Sequence, residues 1–366
     1  MKPTLVLSLL VLVATVVQSA LIFVGSQTSP TSSVGLSVFA NENGRLRKLL
    51  HETTATTGEM PTYMAASHDG HFLYMTNEID AGSVSSFRIA RAGDSVELKP
   101  LGTASTKSKG PVHVAVTKSG RYLLVASYSV GSITVLSVDA NGFANTVVDQ
   151  VAFEGGAHVV PGRQDGPHAH CVALSPDNTF AFVTDLGNDK IMQFKFDATR
   201  GKLTPNTPAF VAVGRGALPR HLAFHPNGRD LYLNTEQSNE LIRFQFNATS
   251  GTLRQKKAVK TTTKSSGVFT GALHVAPNGK HVLVSNRWGN DDSLVVFSAD
   301  LATRIGSYPT QASGAPRDFT IANGTVFVGN ENTNSIDSFT MHANGQLTHH
   351  QGQATTLFKP QVLLPY

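Results

Sequence analysis

Four side chains in this sequence are of the types that acid–base chemistry at a carbonyl requires: His170, Arg220, Glu236 and Arg287. An imidazole can pass a proton, a carboxylate can accept or orient one, and a guanidinium can hold an anion or a developing oxyanion. Their spacing singles them out. Arg220 and Glu236 lie eight residues to either side of Gly228, His170 lies eight before Asn178, and Arg287 lies eight after Gly279. Each of those turn residues separates two apolar runs, and residues equidistant from the tip of an antiparallel hairpin face one another. The arithmetic pairs Arg220 with Glu236, Thr62 with Glu78, Val112 with Tyr128, His170 with Leu186 and Gly271 with Arg287. Glu78 takes the same place as Glu236, while Arg317 and Glu331 take similar places in a shortened unit. A slip of one residue in register would turn some of these side chains away.

The same residues admit a plainer reading, in which Arg220 and Glu236 form a structural ion pair and His170 is a hydrogen-bonded residue of a rim. Pairing with arginine lowers a carboxylate's pKa and makes it a poorer base, which favours a binding role for Glu236. His168 and His170 share a strand face but no third ligand follows at a metal-binding spacing, so no metal is expected. Asn77, Asp185, Asn234, Asn286 and Asn330 recur at the ends of second strands, where they read as caps of corner turns rather than as calcium ligands. Cys171 points to the opposite face from His170 and reads as a buried, inert thiol. Trp288 either stacks on a ligand or covers the rim. No glycine-rich phosphate loop leads into a helix, so no nucleotide cofactor is expected.

The elements that must hold these residues form a repeat: an apolar strand, an Asn/Asp-Gly turn, a second apolar strand, then a polar corner. Four copies align with little adjustment, beginning at residues 61, 111, 219 and 270, and variants begin at 168 and 316. The turn positions Gly70, Gly120, Asn178, Gly228, Gly279 and Gly324 are 45 to 58 residues apart, which suits a four-stranded propeller blade. Third strands follow in each unit, with weaker fourth ones. Residues 21–27 read as a second strand without a first, and residues 360–364 as a first strand with nothing after it. Joined, they complete a seventh blade and remove the exposed edges of an open sheet. The expected fold is therefore all-β, a seven-bladed β-propeller whose first strands line a central channel, so that the four side chains meet at one rim.

Composition agrees, with Gly 32 and Pro 17 against 15% charged residues, as short strands and tight turns require. The net charge of +5 is scattered apart from Arg254, Lys256, Lys257, Lys260 and Lys264, which read as a solvated loop rather than a nucleic-acid site. One cysteine rules out an intrachain disulfide framework. Lys2, the apolar run over residues 5–13 and the small residues Ala14, Ser19 and Ala20 have the three parts of a secretory signal peptide. The expected organisation is a signal peptide over residues 1–20, cleaved near Ser19 or Ala20, and one domain over residues 21–366. Secretion is expected, with no membrane association after cleavage, as a monomer. The triplets at Asn247 and Asn323 would be glycosylation acceptors only in a secretory pathway.

The segments Gly166-Pro-His-Ala-His-Cys-Val-Ala-Leu-Ser-Pro-Asp177, Leu218-Pro-Arg-His-Leu-Ala-Phe-His-Pro-Asn-Gly228 and Val284-Ser-Asn-Arg287 resemble the seven-bladed lactonase family. That family includes bacterial-type 6-phosphogluconolactonase and fungal carboxy-cis,cis-muconate cyclase. The resemblance implies cofactor-free chemistry on a lactone or other anionic small molecule, and His170, Arg220, Glu236 and Arg287 match positions proposed as functional in the cyclase branch. With the repeat positions of Arg317 and Glu78, the expected site has His170, Glu236 and Arg287 catalytic and Arg220, Arg317 and Glu78 binding substrate. Because 6-phosphogluconolactone is cytosolic, the export signal points toward an unphosphorylated lactone or another anionic substrate. A lactonizing cyclase and a secreted propeller that binds without turnover are the alternatives.

Overall fold

The computed structural model describes residues 19–93 and 95–366; most of the expected signal peptide, residues 1–18, lies outside them. The described strands form seven sheets, each built as four antiparallel strands from the axis outward. The inner strands of blades 1 to 6 are Pro61–Ala66, Pro111–Val116, Ala169–Leu174, Pro219–Phe224, Phe269–Val275 and Pro316–Ala322. Blade 6 carries in addition the two-residue strand Thr355–Thr356. Blade 7 is made of both termini: Pro360–Pro365 is its inner strand and pairs with Leu21–Ser26, which leads into Val34–Glu42 and Arg45–Thr53. The ring therefore closes as the two half-blades at the chain ends require.

Hairpins form where the repeat places them because the turn chemistry is local. In blade 1 the Asp69 carboxylate accepts the His71 N–H at 3.0 Å, and Gly70 takes φ +73°, a left-handed value that costs glycine nothing. Asp177, Asn227 and Asn278 accept the N–H two residues on in the same way. The second strands are buried along their whole length, as in Phe180–Asp185 and Asp230–Thr235, save for the half-buried Phe72 that opens the strand of blade 1, because blades stack on both of their faces. Seven buried clusters result, one in each gap between neighbouring blades. Fourth strands are exposed: Thr252–Lys260 carries Arg254, Lys256, Lys257 and Lys260 into solvent, charges that protect an outer edge from pairing with another chain. The five recurrent corner residues are held inside the protein, as where Asn77 donates to the Thr57 and Glu59 carbonyls and Asn234 to the Gly271 carbonyl.

The facing pairs obtained by counting from the turns need correction. Pro219 pairs with Thr235 and Leu222 with Leu233, so Arg220 and Glu236 are not direct cross-strand partners. Phe269, rather than Gly271, is opposite Arg287. The cause is a β-bulge at the same point of all seven inner strands. A bulge leaves an extra residue outside the ladder and re-aims it. The residues so placed include Thr62, Val112, His170, Arg220, Gly271, Arg317 and Gln361, and all but Gln361 are residues that the repeat had put at this position.

Candidate active site

At the rim where the inner strands begin, the residue before the proline often adopts a left-handed backbone: φ is +50° at Met60, +58° at Leu218 and +50° at Ala315. Side chains other than glycine adopt such values at a cost of about 1–2 kcal/mol, and a hydrogen bond across the rim holds the strain in place. The carbonyl of that residue accepts the N–H of the residue just past the second strand, in the pairs Met60–Glu78, Gly110–Tyr128, Leu218–Glu236 and Ala315–Glu331. Glu78, Tyr128, Glu236 and Glu331 are thus fixed at their backbones independently of their side-chain contacts.

A cavity of about 310 Å³ opens at this rim, and His170, Arg220, Glu236, Arg287, Arg317 and Glu78 all line it. Glu236 is its centre. The carboxylate lies 3.3 Å from Arg287 Nη2, 3.6 Å from Arg220 Nε and 3.0 Å from Arg163 Nη2, and it is 4% exposed. Burial pushes its pKa up, yet Arg287, Arg220 and Arg163 together outweigh burial and hold it below the ordinary carboxylate value. Glu236 is therefore ionised and weakly basic, an anion that organises three cations.

Arg220 donates from Nη1 to the Gly271 carbonyl at 2.7 Å and lies 3.0 Å from His221 Nε2, so its position is over-determined. The Arg287 guanidinium carbon stands 4.4 Å from the centroid of Trp288, which covers it as a cation–π lid and lines the cavity. Burial and the Arg220 charge bring Arg287 down to about 9, leaving it cationic at neutral pH. Arg317 pairs with Glu331 at 3.5 Å. Glu78 is half-buried and has no side-chain ion pair among the described residues.

His170 sits edge-on to Tyr128 and His221, at 5.7 and 5.3 Å between centroids, and its buried Nδ1 has no hydrogen-bond partner among the described residues. Burial first, then Arg220 and Arg317, hold its pKa well below the ordinary imidazole value, so the ring is neutral at physiological pH. The other histidine of the pair, His168, turns elsewhere: it stacks on Tyr128 at 4.4 Å, with Nδ1 2.9 Å from the Tyr128 carbonyl. Among the described residues no group of three or more His, Cys, Asp or Glu side chains is arranged to hold a metal ion. The Cys171 thiol lies 3.3 Å from His113 Nε2, and burial pushes it up to about 12, which leaves it unreactive.

Arg163, His221 and His113 have a place in or beneath the site that counting from the turns did not assign. The signal for Arg163 was present in the longest interval of the repeat, between Gly120 and Asn178, which carries the insertion that delivers it. His113 and His221 fill the channel below the cavity. Burial brings His113 down to about 3, and burial with Arg220 lowers His221 well below its usual value. Three histidines that are neutral when folded but titrate near pH ~6.5 when unfolded make the unfolded chain bind more protons below that pH. Stability is therefore expected to fall as pH drops through about 6.5 toward 5, and Glu236, whose pKa is depressed, adds to the loss at lower pH. Melting temperatures across that range check this; a flat profile contradicts the buried, neutral assignment. A larger hollow of about 540 Å³ lies at the opposite rim around Pro277, Asn323 and Tyr366, without converging charges.

Residues 21–360 match the family described as lactonase, 7-bladed β-propeller. The chain belongs to that family. This lactonase-family propeller is 30% identical to a 6-phosphogluconolactonase of Formosa agariphila over 331 residues, covering 87% of this chain and 91% of the relative. It is 32% identical to a 6-phosphogluconolactonase of Bacillus subtilis, covering 76% and 79%. Among solved structures, a periplasmic gluconolactonase of Pseudomonas aeruginosa superposes with a TM-score of 0.86 at 28% identity, covering 94% of this lactonase-family chain and 98% of that one.

Proposed function

We propose that this chain hydrolyses a sugar lactone without a cofactor, and that it does so outside the cytosol. The observation that carries the chemistry is the neutral His170 imidazole in the same cavity as the fixed guanidinium groups of Arg220 and Arg287. A neutral imidazole can take a proton from water as it attacks the lactone carbonyl. Arg287 and Arg220 then stabilise the charge that develops on the carbonyl oxygen, without reorganising. Collapse of the tetrahedral intermediate breaks the ring C–O bond, and the imidazolium returns the proton to the departing alkoxide. Water and lactone give one open-chain hydroxy acid. Glu236, ionised and 3.0 to 3.6 Å from three guanidinium groups, keeps the arginines in place.

The names of the relatives support a sugar lactone as substrate, phosphorylated in two cases and not in the third. Export is supported by the three-part N-terminus and by the first strand, which starts at Leu21 just past the expected cleavage point. Purified protein should hydrolyse at least one sugar lactone at the same rate with and without chelator, and N-terminal sequencing of the cellular product should begin near Ala20 or Leu21. No turnover on any lactone rejects the enzymatic reading in favour of a binding propeller. An intact Met1 form in the cytosol rejects export.

A further inference from the structure

The three arginines around Glu236 are not equivalent. Arg220 and Arg287 arise from strands, and their side chains are 4% exposed; Arg163 arises from the insertion between blades 2 and 3, and its side chain is 33% exposed. Its backbone is nevertheless held. Arg163 and Gln164 donate to the Val160 carbonyl at 3.1 and 3.0 Å, and the fully buried Gln164 side chain donates to the Leu186 carbonyl at 3.1 Å. A fixed base with an accessible guanidinium at a cavity wall is suited to reach toward an incoming group.

The electrostatics decide which cation is free to do so. If Arg163 leaves Glu236, the carboxylate keeps Arg220 and Arg287 and stays compensated. Arg317 is also partly exposed, but it is the ion-pair partner of the largely buried Glu331, and withdrawing it would strand that carboxylate. Arg220 is tied to the Gly271 carbonyl, and Arg287 lies under Trp288. Arg163 is thus the cation whose exchange of partners costs least.

We propose that Arg163 recognises an anionic substituent, phosphate or carboxylate, carried by the lactone, exchanging Glu236 for the substrate as it binds. The inference rests on the lactonase reading and makes Arg163 a specificity-determining residue that takes no part in bond breaking. The guanidinium fork matches either anion with two parallel hydrogen bonds, and lysine would supply the charge without that fork.

The test compares kcat/KM for a neutral lactone, gluconolactone, with that for 6-phosphogluconolactone and for a glucarolactone bearing a carboxylate. In the wild type at least one anionic lactone should be preferred. In Arg163→Gln the ratio of anionic to neutral kcat/KM should fall by roughly 10- to 100-fold, mainly through KM, as expected for loss of a charge-assisted hydrogen bond. Arg163→Lys should restore part of the ratio, and whichever anionic lactone loses its preference identifies the anion. A ratio unchanged in Arg163→Gln overturns the assignment, as does a wild type that turns over the neutral lactone alone, and in both cases the lactonase reading survives. Failure of every lactone would instead overturn that reading, and the assignment with it.

Discussion

Replacing His170 by alanine is expected to lower lactone turnover by about 10²- to 10⁴-fold, the usual contribution of a positioned proton-transfer group. Arg287→Ala should cost roughly 10²- to 10³-fold, by analogy with loss of an oxyanion donor. Both variants should fold. His170 lines the cavity, and removal of Arg287 leaves Glu236 still paired with Arg220 at 3.6 Å and Arg163 at 3.0 Å. Arg220→Ala is a less clean test, because it also removes the hydrogen bond to the Gly271 carbonyl. The pH profile adds an independent check: a base held below the ordinary imidazole pKa puts the acid limb of kcat/KM below pH ~6.5. Full activity in both variants, with melting temperatures unchanged, would remove these residues from the reaction.

Deleting the chain from Pro360 onward should abolish cooperative folding or lower the melting temperature severely. The deletion strips the inner strand from blade 7, leaving Ile22, Phe23 and Val24 with unpaired backbone along one edge. It also removes Val362 and Leu363, 3% and 2% exposed, and uncovers Phe23, which stacks on Tyr366 at 5.1 Å. Burial of each such side chain contributes about 1.5–3 kcal/mol. Three of them rival the roughly 5–15 kcal/mol by which a typical domain is stable. The loss reaches the neighbouring blades as well, since the Asp318 carboxylate accepts the Leu363 N–H at 2.8 Å and the Tyr366 hydroxyl donates to the Gly70 carbonyl at 2.6 Å. Thermal melts and aggregation assays of the truncated protein decide the matter. A truncated chain that melts like the full-length one would show that the ring does not depend on the terminal strand.

What the sequence determined by itself was everything that repeats. A turn of Asn or Asp followed by glycine is specified by its own few residues, so Gly70, Gly228 and Gly279 mark hairpins without help from the rest of the chain. The count of blades, their order and the completion of the seventh by both termini follow from that periodicity. So does the gathering of His170, Arg220, Glu236 and Arg287 at one rim, because a repeat position maps to the same height in every blade.

Tertiary structure decided the rest, for two physical reasons. The bulge in each inner strand is a bend of the backbone within its sheet, and no residue type announces it, since it falls on residues as different as Thr62, Gly271 and Gln361. It moved the true cross-strand partners to Pro219 with Thr235 and Phe269 with Arg287 while leaving His170 and Arg220 at the cavity. The charge states of the site are likewise sums over blades. Glu236 is weakly basic because arginines from positions 163, 220 and 287 reach it together, and His170 is neutral because burial and Arg220 act on it at once. Spacing along the chain brought residues to the rim. Only their packing in three dimensions determined that the imidazole is neutral and that the carboxylate is held by its arginines.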